Sequence, residues 1–507
     1  MVRQSVASGI FLTILVLMNV QSLRLPSAFA QGPVMSGQII RVPEDYLAIQ
    51  DAVNAATDGD TVLVSPDTYY EIIDFRGRAI VVRSTSGPEL TTIDGCSLDS
   101  VVTFDSGEEA SSVIEGFTIQ NGRATKGGGI YCDGSSPIIR NNRIILNYAV
   151  EPDPPGGGGG GIYCGSGSCA TIVNNTIANN SANGSGGGIC FNLSSPVIDR
   201  NLIIENAGGL EGGGGQGGGI AGYGASTAVI SSNLIIKNSA ATVEPGMFDV
   251  GGGGISLDDC GSGIVVVNNT IDANRTVYGH GGGIFCDFYA SPTIKNNIIT
   301  SSPVGEGIWV SDLGADPIID YNDVWNNANG DYGGAAQAGQ HDTSVDPLFV
   351  DLQNDNYHLQ PASFCVDAGD NSASCLPPTD FDGDERIVDG DDDGTATVDM
   401  GGDECVPIGI DKLRHRRCEP GDRIGIIGRG FGDAQGSSIV HIGKREFDSS
   451  SPRIKLWTDS KIKIKIPKYK CKWFKGQEDR KQKTWVTVHG IDSNKKQIKV
   501  VKPDKCE

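Results

Sequence analysis

Four carboxylates near the ends of successive sequence repeats are the first candidates for chemistry. Asp258 and Asp259 stand three and four residues after Ile255, Asp287 three after Ile284, and Asp312 four after Ile308. If these isoleucines stack on adjacent strands, the carboxylates line up about 4.8 Å apart. Like charges at that spacing repel by about 3 kcal/mol at an effective dielectric near 20. Solvation, capping of turn amides or a bridging cation must offset this. Calcium takes carboxylate oxygens at about 2.3–2.6 Å, so one ion can bridge two rungs and recruit an anionic sugar. A second acidic run contains Asp389, Asp391, Asp393 and Gly394, the first half of a calcium loop. Met400 stands where the bidentate Glu belongs, and Asp399 is the nearest substitute. For both clusters the competing reading is that Asp simply makes turns.

The chain has 13 cysteines. Cys365 and Cys375 bracket a short loop, and Cys405, Cys418, Cys471 and Cys506 are enough for two bridges. Cys132, Cys164, Cys190 and Cys286 occupy nearly the same repeat position and read as a stack of small buried side chains. A linear stack has no tetrahedral arrangement, which excludes a zinc site.

The elements that position these residues are set by a glycine run ending in isoleucine. It recurs at Ile130, Ile162, Ile189, Ile220, Ile255 and Ile284, with a weaker copy at Ile308. Each is followed by an asparagine, the series running Asn142, Asn175, Asn201, Asn233, Asn269, Asn297 and Asn322. Five residues further on stand Asn147, Asn180, Asn206, Asn238, Asn274 and Asn327, with Ser302 as the exception. Fixed internal offsets with a loose overall period define a repeat architecture. The segments are short, β-branched and punctuated by glycine, which excludes helices. The fold class is therefore all-β, a right-handed parallel β-helix whose inward Ile and Val stack coil on coil. The asparagines are expected to turn corners and hydrogen-bond their counterparts above and below. The variable arcs Ala149–Gly161, Ala207–Gly219 and Ala240–Gly254 are expected on one side, as a groove wall.

Residues 1–30 read as a signal peptide: Arg3, an apolar core from Ile10 to Met18, and Ala28-Phe29-Ala30 for cleavage. No later segment is apolar enough to span a membrane, so secretion is expected. Val42 to Ala56 carries an amphipathic pattern for a helix capping the open end of the β-helix. The β-helix with its end caps is placed at 31–404, the acidic stretch around Asp380–Gly401 being its second cap. Residues 405–507 carry 25 Lys and Arg against 12 Asp and Glu, whereas the preceding residues carry 15 against 50. That reversal marks a domain boundary. Lys461-Ile462-Lys463-Ile464-Lys465-Ile466 alternates as a half-buried strand does.

Ile49-Gln50-Asp51-Ala52, Gly59-Asp60-Thr61-Val62, Gly116-Phe117-Thr118-Ile119 and the Gly-Gly-Gly-Ile copies resemble secreted bacterial right-handed β-helix proteins of the pectin-lyase-like superfamily. Pro420-Gly421-Asp422, Gly428-Arg429-Gly430-Phe431-Gly432, Trp457-Thr458-Asp459 and Ser493-Asn494 resemble an IPT/TIG domain, implying an immunoglobulin-like β-sandwich for spacing or contact. The first resemblance implies a fold and leaves the reaction open, since that superfamily holds lyases, hydrolases and proteins without activity. Its galacturonan hydrolases use an Asp pair and a Gly-His-Gly on adjacent coils. Asp258-Asp259 and Gly279-His280-Gly281 match in type. Their register places them at opposite ends of one strand, about 20 Å apart, too far for joint acid–base work. Lyase chemistry needs a strong base and charge neutralisation, and basic residues such as Arg275 and Lys295 are few near the middle coils.

Two functions follow. One is a secreted or cell-surface protein binding glycans or surface partners, with calcium as the only cofactor implied. The other is a polysaccharide lyase or glycoside hydrolase acting on an acidic polysaccharide. Nucleic acid is not the expected partner: the tryptophans of the basic segment read as core or edge residues.

Overall fold

The computed structural model describes residues 37–503 except 151–156, 211–215, 242–250, 392, 432–434, 459, 475–476, 478 and 489. The expected signal peptide, Cys506 and the side chain of Cys471 lie outside the described residues.

The coils of the β-helix run through the faces in one order, the narrow fourth face beginning only at Arg123–Ala124. Face one, entered from the glycine run, is a ten-stranded parallel sheet from Ile73–Asp74 to Tyr332–Gly334. Face two has eleven strands, from Ile39–Val42 to Ile318–Asp320. Face three has ten, from Thr68–Tyr70 to Asp323–Trp325. Face four is narrow, with six two-residue strands from Arg123–Ala124 to Arg275–Thr276. Pairing is in register: Ile130, Ile162, Ile189, Ile220, Ile255, Ile284 and Ile308 form one continuous stack. These residues are fully buried and belong to a single core running the length of the helix. The glycine runs are required by backbone approach: a Cβ on Gly187 would lie 2.4 Å from the Ala207 backbone, and one on Gly218 2.5 Å from that of Ser239.

The corners follow a division of labour that sequence reading put on one residue. The left-handed backbone falls on the residue before each asparagine: Asn141, Asn174, Arg200, Ser232, Asn268, Asn296 and Tyr321 at the corner between faces two and three. The same holds for Leu146, Asn179, Glu205, Lys237, Ala273, Ser301 and Asn326 at the next corner. A left-handed non-glycine residue costs about 1–2 kcal/mol. The asparagine that follows is buried and offsets it with hydrogen bonds. Asn201 donates its backbone N–H to Asn233 Oδ1 at 2.8 Å and its Nδ2 to the same oxygen at 3.1 Å. Asn233 repeats both contacts to Asn269 at 3.0 Å and donates Nδ2 to the Ile198 carbonyl. The ladder ends on carboxylates, since Asp342 receives the donors of Asn322 and Asp331 those of Asn327. An acceptor without a donor is the right terminus for such a chain. In the second ladder Ser302 is too short to continue the series, and its hydroxyl is buried without a partner.

The N-terminal helix is Ile49–Ala55, shorter than the expected Val42–Ala56. A turn held by Asp45, which accepts from the Arg41 N–H, occupies the first part. Glu71 receives the helix's free Ile49 and Gln50 N–H groups, and Ile49, Ala52 and Val53 bury against the first coils.

The acidic segment expected as a second end cap lies instead along the outside of face three. Phe349, Tyr357, Leu359, Cys365, Val366 and Met400 bury there against Leu234, Ile236 and Ile298. Arg386, 1% exposed, donates to Ser232 Oγ, Gly402 O and Asp403 O. The cause is visible in the strands covered: Leu234-Ile235-Ile236 and Ile298-Ile299 are apolar on both sides, so the outer side also needs a cover.

The C-terminal region is a β-sandwich. A four-stranded antiparallel sheet faces one of six strands around Ile424, Ile426, Ile462, Ile464, Val486 and Ile498. Cys365, Cys375, Cys405 and Cys418 are free thiols, against the expected bridges. The Cys365 thiol is buried 3.7 Å from Asp323 Oδ2, whereas Cys375 sits in a left-handed turn and is partly exposed. Cys418 points to the Lys499 carbonyl. The cysteine stack is also only partial. Cys132 pairs with Cys164 facing inward, but Cys190 pairs with Tyr163, one residue earlier, and faces outward. A one-residue offset reverses the face in a strand.

Asn233→Ala strands the Asn201 backbone N–H, while Asn201 Nδ2 keeps the Ile172 and Asp199 carbonyls, and should lower stability by about 1–3 kcal/mol. Ser302→Asn restores the broken ladder and should raise the melting temperature. Thermal denaturation of both variants checks the opposite signs. The covering segment should loosen in alkali. Burial pushes the Asp399 carboxyl up to about 7 and Glu404 up to about 10. Burial opposes the charge on His358, but Asp403 and Asp382 outweigh it and raise it to about 9. A raised folded-state value stabilises fully below the ordinary pKa and is lost as pH rises through the raised one. The windows therefore run upward from 3.8 to about 7, from 4.5 to about 10 and from 6.5 to about 9. Amide exchange at Leu359 and Cys405 should accelerate between pH 6 and 10 beyond the intrinsic base effect, while the core of face two does not change.

Candidate functional site

Successive residues of a strand point to opposite sides. On face one the third residue after each glycine-run isoleucine therefore faces outward, giving the in-register row Asn192, Tyr223, Asp258, Asp287. Asp258 and Asp287 stack as the spacing predicts. Asp312 does not join them. The pairing of Cys286 with Val310 puts Ser311 beside Asp287, and Asp312 is exposed in the turn beyond. Asp259 is likewise past the strand, left-handed at φ 51°. The ladder has two rungs rather than three. Burial, then Asp287 and Asp259, push the Asp258 carboxyl up to about 6. Asp287 Oδ1 accepts from the Phe288 N–H at 2.9 Å, so part of its charge caps the turn.

A cleft of about 490 Å³ opens at this corner, lined by Asn192, Leu193, Tyr223, Gly224, Asp258, Asp259, Phe288 and Tyr289. Phe288 and Tyr289 are 47% and 64% exposed, and both are left-handed, at φ 27° and 51°. Two consecutive non-glycine residues in that region are strained, and such strain concentrates at working sites. The Tyr289 ring occupies space that a Cβ on Gly314 would close, approaching it to 2.7 Å. Among the described residues no Lys, Arg or His lines the cleft. Burial raises the Tyr223 phenol well above its ordinary value, so it is no base at neutral pH. Sequence reading found the carboxylates and missed the rings, whose signal was two bulky residues four and five after Ile284, where the two preceding coils carry Asp259-Cys260 and Gly224-Ala225.

His280 lies before its strand, bridged to Gly251, stacked on Trp309 at 3.6 Å and 3.4 Å from Glu306. It is not brought to Asp258, as the register argument required. Arg275 lies on face four, and Lys295 pairs with Asp370 at 2.8 Å. The variable arcs all run from face four to face one and so share one side; their middles lie outside the described residues. One described end, at Gln216, lies over face one. Gln216 accepts from Ser256 Oγ, and the outward Tyr163, Cys190, Ala221 and Phe285 are buried.

The second acidic cluster is rearranged too. Asp389 and Asp391 come together with Asp367, each offering an oxygen within 4.8 Å of the others. Asp393 and Asp399 are not in that group. Asp393 accepts from the Thr395 N–H, and Asp399 is buried accepting from the Asp367 and Cys405 N–H groups. Asp389 Oδ1 is buried without a partner. His358, Asp382 and Asp403 form a further group, in which His358 Nε2 meets Asp382 at 2.6 Å.

In sequence comparison no curated protein matches the chain. Among solved structures it is similar to a PL6 family alginate lyase, at 14% identity and a TM-score of 0.25, covering 62% of this chain and 54% of that one. It is also similar to a mannuronic acid specific polysaccharide family 6 lyase from human gut microbiota, at 14% identity and 0.28, covering 61% and 83%. A third is a pectin methylesterase, at 9% identity and 0.24, covering 68% and 100%. The chain thus spans about half the length of the first of these. The right handed beta helix region family matches residues 68–278 and 210–324, just over half the chain and the coils whose register is given above, and the chain belongs to that family.

Proposed function

We propose that this protein binds neutral glycans in the cleft at the end of face one, as an extracellular β-helix protein spaced or anchored by its C-terminal sandwich. The juxtaposition of Phe288 and Tyr289 with Asp258, Asp259 and Asn192 in one sugar-sized cleft carries the reading. Exposed rings offer flat apolar faces for sugar C–H groups, and carboxylates accept charge-assisted hydrogen bonds from hydroxyls. A cleft with a few convergent polar groups fits a small-molecule or chain-end ligand. The acidic surroundings favour a neutral sugar over a uronate. Extracellular placement rests on the signal-peptide reading of residues 1–30, and a described cleft lining of rings, carboxylates and an amide supports binding.

Calcium is the cofactor that fits the Asp367, Asp389 and Asp391 group, where the buried, unpartnered Asp389 oxygen supplies a ligand atom with nothing else to bind. It would act on the stability of the covering segment, remote from the cleft. Calcium at about 100 times its dissociation constant should stabilise by about 2.7 kcal/mol. A calcium-dependent rise in melting temperature, removed by Asp391→Asn, checks it.

A glycan array followed by calorimetry tests the cleft. Phe288→Ala with Tyr289→Ala should weaken the best neutral oligosaccharide by about tenfold or more, each ring contributing about 0.5–1.5 kcal/mol. Asp258→Asn with Asp287→Asn should weaken it as well. Affinity should fall as pH drops from 7.5 to 5, because Asp258 gains a proton near pH 6 and loses acceptor capacity. Release of reducing ends or unsaturated products from any array member would replace binding by catalysis.

A further inference from the structure

The outer side of the sandwich's four-stranded sheet carries a cationic pattern that folding does not use. Its strands are Gly409–Arg414, Arg423–Arg429, Lys461–Lys465 and Ile454–Thr458, in the spatial order first, second, third, fourth. Ile424, Ile426, Ile462 and Ile464 face the core, so Arg423, Gly425 and Ile427 face out, as do Lys461, Lys463 and Lys465. In register, Lys412 stands beside Ile427 and Ile427 beside Lys461. Arg414 stands beside Gly425, and Gly425 beside Lys463. Arg423 and Lys465 are direct neighbours at one end.

Two cationic rows thus flank a lane one strand wide. Strands lie about 4.8 Å apart, so the rows are about 10 Å apart at the backbone, with charges spaced about 7 Å along the Lys461–Lys465 row. The floor is Gly425, which has no side chain, and Ile427, which is apolar. The stem of Arg414 lies across Gly425, its Cβ, Cγ and Cδ within 3.9 Å of where a Cβ would be. The described ion pairs of this domain, Lys495 with Asp492, Lys499 with Asp479 and His441 with Glu446, lie on the other sheet. Among the described residues no ion pair is made by Lys412, Arg414, Arg423, Lys461, Lys463 or Lys465. Arg423 directly opposite Lys465 is a like-charge pair, which weakens a sheet.

We infer that this lane is a binding surface for a linear anionic polysaccharide lying parallel to the strands. Cations on both sides meet the anionic groups, and the apolar floor meets the sugar face. Charge complementarity selects a polyanion, and the lane's lack of rings selects against nucleic acid, whose bases need aromatic platforms. Trp457 packs edge-on to Phe431 and donates its indole N–H to the Phe431 carbonyl, while Trp485 belongs to the other sheet. This site is separate from the neutral-glycan cleft in place and in ligand charge, so either can fail without the other.

The test uses the full chain with dextran sulfate, polygalacturonate, neutral dextran and a single-stranded DNA oligonucleotide as probes. Dextran sulfate or polygalacturonate should bind and neutral dextran should not; which of the two is tighter separates sulfate from carboxylate recognition. Binding should weaken steeply between about 50 and 300 mM salt, as counterion release requires. Lys461→Gln/Lys463→Gln/Lys465→Gln should weaken it about tenfold or more and flatten the salt dependence. Lys495→Gln/Lys499→Gln on the opposite sheet should change it little. Circular dichroism verifies folding, and Arg414→Gln on the neighbouring strand gives an independent variant with the same expected direction. Equal loss in both multiple variants, no loss in the triple variant or in Arg414→Gln, tighter binding of DNA than of either polysaccharide, or salt-sensitive dimerisation abolished by the triple variant would each overturn the proposal.

Discussion

The corner hydrogen bond between asparagines is the interaction on which the rest depends. A parallel coil must reverse direction several times per turn, and each reversal forces a residue into a conformation that L-amino acids avoid. Arg200, Tyr321, Glu205 and Leu146 adopt that conformation although none of them is glycine or asparagine. Support comes from the next residue, whose amide bonds coil to coil in both directions. Because every asparagine is both donor and acceptor, the ladder is directional and cooperative, and it must end on groups that only accept. Asp331 and Asp342 are such groups. The stacks of isoleucine then follow from register, and register from the ladder.

Much of this was legible in the sequence because the offsets from isoleucine to asparagine to asparagine hardly vary. What remained hidden were distinctions of a single residue. An aspartate three after the isoleucine is in the strand and faces out, whereas one four after it is in the turn; Asp287 and Asp312 differ in only this. Cys190 shows the same parity effect. The outer cover of face three was written in the Leu234-Ile235-Ile236 run, since a strand exposed on one side alternates and this one does not. The rings of the cleft were illegible for a different reason. Phe288 and Tyr289 occupy turn positions, where pattern reading expects Gly, Asn or Asp, and their exposure depends on neighbours in the coils on either side.

The division of charge has a structural logic of its own. The β-helix faces outward with carboxylates that cap turns and end ladders, so its negative charge is largely a by-product of its architecture. The sandwich has no such need, yet places its cations in rows. One domain is acidic because of how it folds. The other is basic on a side that its fold leaves free.

The segment that lies along face three also sets the order of events as the chain is made. Coils near Asn201, Asn233 and Asn269 can pair as soon as they leave the ribosome, since each needs only its predecessor. Their outer apolar row stays bare until Phe349, Tyr357 and Met400 have been synthesised more than 100 residues later. During that interval the nascent β-helix is a half-dressed surface with exposed leucine and isoleucine. Elongation at about 5–20 residues per second makes it last several seconds or more. The interval is a window for a chaperone or for aggregation, and it closes only when the C-terminal end of the acidic segment, Gly401 to Cys405, emerges and binds back.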